Sequence, residues 1–184
     1  MTLAISPRFT IEKLSTGQLA DMIDVFEDQM LGWLIDPANI LRGHQHAGFG
    51  ILAIVLSYFE PIGQFLDGKA GDSKHQFVKG LRSVFPDLDP DIPQALFNEL
   101  YDQVRCGMFH QGLTKAKVLI TPAGPYPIEV IHGPDHDVVQ IKLVPVNLID
   151  AIHGHLLLYV GKLRNPENVQ LRENFERWFR ARGA

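Results

Sequence analysis

At 184 residues, with a formal charge of −4 and a sequence pI near 6.0, the chain is sized for one domain over 1–184 with a core of its own. That acidity excludes a surface coated in basic groups for indiscriminate nucleic-acid binding. Cys106 is the single cysteine, so an intramolecular disulfide is excluded, and the opening MTLAISPRFT has neither the basic start nor the apolar run of a secretory signal.

The first element is a helix over residues 16–34. Ser15 followed by Gln18 has the capping-box spacing, and Leu19, Met22, Ile23, Phe26 and Met30 recur at helical intervals. Pro37 lies just past its expected end. Residues 45–66 are apolar nearly all round and read as a central buried helix. Pro61 should bend it, because proline offers no amide donor, which puts Glu60 beside the kink. The longest apolar run, 47–59, is too short to span a bilayer, so we expect a soluble, cytoplasmic protein with no membrane partner.

Ser73 with Gln76 repeats the capping-box spacing and opens a short helix to about Val84. PDLDPDIP then reads as a connector, since each proline disfavours helix in the residue before it. The next helix starts near Asp91, carries Leu96, Phe97, Leu100, Tyr101, Val104 and Met108 in a stripe, and ends around His110 to Gly112. Beyond it AKVLI, PIEVI and VVQIKL are short β-branched runs separated by turn formers, which predicts a small two- or three-stranded sheet between about 116 and 143. Asn147 can cap a helix to about Leu163, and Asn165 with Pro166 opens a last one carrying Leu171, Phe175, Trp178 and Phe179. The expected fold is mainly α: a helical bundle with a small β-sheet insertion.

Charge is uneven. Residues 83–104 carry Asp87, Asp89, Asp91, Glu99 and Asp102 with no Lys or Arg, while 160–184 carry six basic groups against three acidic. Solvated helix faces and dipole-compensating ends account for such a pattern. Three histidine pairs, His44/His46, His132/His136 and His153/His155, are close in sequence but lack zinc-site spacing. GFG at 48–50 and GKAG at 68–71 lack the residues that complete a phosphate loop or dinucleotide fingerprint. We therefore expect no metal and no cofactor.

The segment that carries chemistry is LYDQVRCGMFHQG, with Arg105 and His110 at Arg-x4-His spacing on the last turns of a late helix. It resembles the signature of the HEPN superfamily, the helical RNase and nucleotide-binding domains, and the order of elements is coarsely similar. The resemblance implies a HEPN-like bundle that acts as a metal-independent endoribonuclease, as a toxin or defence component with an antitoxin partner. It also implies a homodimer whose two-fold axis brings both Arg105–His110 pairs into one cleft. Active members usually place a small polar residue directly after the arginine, and this chain departs from them with Cys106.

The chemistry suits the residue types. Cleavage of RNA by internal attack needs a base near the 2′-hydroxyl and positive charge at the pentavalent phosphate. A histidine with an intrinsic pKa of about 6.5 serves the first need and an arginine the second. On an α-helix, positions five apart differ by about 140° in direction, so convergence requires arginine's reach, a distorted last turn or a partner subunit. Plain structural readings stand beside these. Arg105 could pair with Asp102 or another carboxylate, and His110 could bond a helix-end carbonyl. Glu60 either orients Arg105 or His110, or is a polar group emerging at a helix break. Tyr101 either stacks on a base or packs in the core, and Lys115 and Lys117 either line a phosphate-binding rim or solubilise a strand. The alternative to catalysis is a non-catalytic module that binds a nucleotide, RNA or a partner protein through the same cleft.

Overall fold

The computed structural model describes residues 3–86, 94–107, 117–134 and 137–182, with the side chains of 94–96 left aside. His110 and Lys115 lie outside the described residues.

The first helix, α1 (Leu19–Met30), runs through a π-turn at Leu31–Ile35 straight into α2 (Asp36–Leu41). It does not stop before Pro37 as the sequence suggests, because the wider turn lets the Asp36 amide donate to the Leu31 carbonyl five residues back. The capping box at its start is not formed: Ser15 donates to the Glu12 carbonyl, and Gln18 takes the cap position with no side-chain bond.

The buried apolar stretch is two helices, α3 (Gly48–Leu56) and α4 (Phe59–Asp67). Pro61 sits in the first turn of α4, where a missing amide costs least, so the break falls at Ser57 and Tyr58 and Glu60 opens the second helix. Residues 48–67 together are long and apolar enough to cross a membrane on length and composition alone, with half of that window buried inside the fold.

Helix α5 (Ser73–Val84) begins where the sequence indicates, but its cap is Asp72, whose carboxylate accepts from the His75 amide. Gln76 turns instead to Asp67, donating at 2.9 Å. Helices α4 and α5 pack backbone to backbone through two reciprocal glycines. A Cβ on Gly63 would collide with the Gln76 carbonyl, and one on Gly80 with the Phe59 carbonyl. Only hydrogen at both positions permits this approach.

Helix α6 (Gln94–Glu99) continues into a second π-turn, Leu100–Arg105. Three strands follow, β1 (Val118–Ile120), β2 (Ile128–His132) and β3 (Val138–Leu143), in the order β1-β3-β2. β1 runs parallel to β3, and β2 antiparallel to it with a register shift at Ile131/His132. The sheet expected at 116–143 is thus three-stranded and mixed. Its Ile128 and Leu143 side chains pack toward Phe59, Leu81 and Val104.

Helix α7 (Pro145–Arg164) passes through the middle of the bundle, with Leu148, Ile149, Ile152, Leu156, Val160 and Leu163 buried. Pro145 starts it; Asn147, expected as the cap, donates to the Gly124 carbonyl instead. Helix α8 (Val169–Arg182) begins four residues after Asn165, because Asn165 and Pro166 form a turn in which the Glu167 amide donates to the Asn165 side chain. Phe26, Phe65 and Phe175 join α1, α4 and α8, with ring centroids 4.8–5.3 Å apart. All three are fully buried, so truncating any of them should cost about 3–5 kcal/mol. The molecule is mainly α with a small sheet.

Candidate functional site

Arg105 ends the second π-turn, and its nearest described partner comes from another helix. Its Nη2 donates to Glu60 Oε2 at 2.9 Å, and both side chains are about four-fifths buried, at 23% and 22% exposure. Burial works against the guanidinium charge, but the hydrogen bond and charge of Glu60 outweigh it and hold Arg105 above its ordinary pKa. The second carboxylate oxygen of Glu60 accepts from the Ser73 hydroxyl. The break before α4, the glycine contact between α4 and α5, and a serine released from capping by Asp72 together aim this carboxylate at Arg105.

Tyr101 lies one turn before Arg105 and forms the floor of the cluster. Its ring centroid is 5.5 Å from the Arg105 guanidinium carbon and 5.8 Å from the Lys74 ammonium, and it meets Phe77 edge to face at 5.5 Å. The ring is therefore half core and half cation shelf. Burial raises the Tyr101 pKa, the Arg105 charge opposes that, and Cys106 and Ser73 lie within reach of its hydroxyl. Cys106 is a partly buried free thiol on the edge of this group.

Asp102, the nearest carboxylate to Arg105 in sequence, is taken by Lys74 at 3.0 Å. The local i, i+3 pair is thus replaced by two long-range pairs, Glu60 with Arg105 and Lys74 with Asp102. The π-turn lies over Leu100–Arg105, where the Cys106 amide donates to the Tyr101 carbonyl five residues back. Lys117 pairs with Glu99 at 3.4 Å, tying the approach to β1 onto α6.

Of the residues singled out in the sequence, the structure gathers Glu60, Tyr101, Arg105 and Cys106, and sets Lys117 against Glu99. Ser73 and Lys74 belong to the cluster and were missed. Ser73 reads as a helix cap and Lys74 as an ordinary exposed lysine, so neither has a local signal.

The histidines are dispersed. His44 and His46 line a separate cleft of about 570 Å³ with Arg42, Phe49 and Ile120. His155 hydrogen-bonds through Nδ1 to the Tyr58 hydroxyl at 2.8 Å and stacks on Tyr159. Among the described residues no three His, Cys, Asp or Glu side chains converge on a metal-sized site. No family model matches this sequence, and no solved structure matches its fold.

Proposed function

We propose that the chain is a metal-independent endoribonuclease of HEPN type. The observation that carries this reading is the fixing of Arg105: a partly buried, permanently charged guanidinium held by Glu60 across two helices and shelved on Tyr101, five residues before His110. A preorganised cation of this kind is what charge accumulating on a phosphorane requires.

In this reading His110 takes the proton from the 2′-hydroxyl, the 2′-oxygen attacks phosphorus, the P–O5′ bond breaks, and the leaving 5′-oxygen takes up a proton from water. The products are a 2′,3′-cyclic phosphate and a free 5′-hydroxyl. DNA lacks the attacking group and survives. Arg105 neutralises the equatorial oxygens, and Glu60 positions it without touching substrate. A homodimer supplies the shared cleft, and the biological role is that of a toxin or defence component restrained by an antitoxin.

A second reading is favoured by two features: the carboxylate already seated on Arg105, and Cys106 in place of a small polar residue. It makes the chain a non-catalytic module that binds RNA, a nucleotide or a partner protein through the same cluster. Incubating single-stranded RNA with wild type and His110→Ala in chelator separates the two. Cyclic-ended products from wild type alone support the enzyme. No cleavage, or cleavage that survives the substitution, rejects it, and RNA affinity lost in Arg105→Ala then supports the binding module.

A further inference from the structure

We infer that the cleft between α5 and α6 binds the phosphate groups of a single-stranded RNA next to the nucleotide held at Arg105; this rests on the ribonuclease reading above. Lys74, His75, Val78, Lys79 and Arg82 line an open cleft of about 440 Å³ together with Asp72 and Asn98. Their spacing puts all five on one face of α5. From Lys74 to Arg82 that face extends about 12 Å, at ~1.5 Å rise per residue. It is longer than a lone phosphate and suited to a stretch of backbone.

The chemistry of the lining favours an anion. Among the described lining residues Lys74, Lys79 and Arg82 are permanent cations, and the one carboxylate, Asp72, is occupied in capping α5. Two of the cations rest on rings of the neighbouring helix, Arg82 at 4.4 Å from the Phe97 centroid and Lys74 at 5.8 Å from that of Tyr101. These shelves hold the charges in place at little entropic cost. Asp102 pairs with Lys74, and Asp67 with Lys79. A phosphate entering the cleft displaces Asp102 from Lys74, and that carboxylate, at 47% exposure, is readily returned to water, whereas Asp67, at 16% exposure and held also by Gln76, stays on Lys79.

Continuity with the candidate catalytic cluster identifies the polymer. Tyr101 carries Lys74 and Arg105 on the same ring, so a phosphate at Lys74 is a neighbour of the one at Arg105. A chain of net charge −4 that acts on a polyanion needs such a local track, because its overall field is repulsive.

The test measures binding of a fluorescent 2′-O-methyl oligoribonucleotide, which cannot be cleaved, to the full chain over a range of salt, with inorganic phosphate and ATP as competing probes. Lys74→Gln and Arg82→Gln should each weaken binding about three- to tenfold and each reduce the slope of log affinity against log salt by about 0.7. Asp102→Asn, which frees Lys74, should strengthen binding about threefold. That opposite sign cannot come from misfolding. The inference is overturned if the strand does not bind, if phosphate or ATP binds the cleft while the strand does not, or if all three variants match wild type. Absence of cleavage on ordinary RNA, with this pattern of binding intact, supports the track and removes only the chemistry.

Discussion

Glu60 and Arg105, 45 residues apart in the chain, meet at 2.9 Å in a pocket that hides about four-fifths of each side chain. The pair joins the break between α3 and α4 to the π-turn after α6, so loosening either element loosens the guanidinium. Glu60→Gln keeps an acceptor but removes the charge, and should cost about 1–2 kcal/mol in denaturant unfolding. If Glu60 positions Arg105 for cleavage, RNA turnover falls about tenfold in the same variant. A variant as stable and as active as wild type removes Glu60 from the cluster's function.

Arg105→Lys preserves charge but not the planar fork that engages Glu60 and a phosphate together. Single-turnover RNA cleavage should fall about a hundredfold or more, with stability lower by about 1 kcal/mol. Cleavage within a few-fold of wild type would mean that a point charge suffices and that the guanidinium geometry is irrelevant.

Gly63→Ala or Gly80→Ala inserts a methyl group into a backbone carbonyl across the α4–α5 contact. Each should destabilise by about 3 kcal/mol, measured by chemical denaturation. Each should also weaken the Ser73–Glu60 bond by separating the helices. Neutral behaviour at both positions would show that α4 and α5 lie farther apart.

His155 gives the fold a pH dependence. Burial, with the Lys162 charge adding to it, lowers its pKa from 6.5 to about 4. Between those values the unfolded chain holds the extra proton and the folded one does not, so stability declines as pH falls through that window. After discounting for partial exposure the loss is about 2 kcal/mol. Comparing melting curves from pH 7 to pH 4, His155→Gln should flatten this segment. An equally steep decline in the variant would assign the effect to other groups.

The Tyr159 hydroxyl is buried and has no hydrogen-bond partner among the described residues. Tyr159→Phe removes that unsatisfied group while keeping the ring that stacks on His155. It should raise stability by about 1 kcal/mol, or about 2–4 °C in melting temperature. Destabilisation would show that the hydroxyl is hydrogen-bonded in solution.

Much of the architecture follows from periodicity. The apolar stripe of α1, the all-apolar α3 and the β-branched runs of the sheet each commit a segment to one geometry before it meets its neighbours. Pro61 marks a break for an equally local reason. The partners are a different matter. A sequence shows Asp102 three residues from Arg105 and cannot show that Lys74 takes it. Nor can it show that Asp72 relieves Ser73 of capping and leaves that hydroxyl for Glu60. Those choices depend on how closely α4 and α5 approach, a distance set by two glycines meeting backbone across the contact. The local chain determines which faces are apolar and which residues carry charge. The packing of helices alone determines which charges meet, because ion pairs and hydrogen bonds fall off over a few ångströms and only the folded chain brings distant groups within that range.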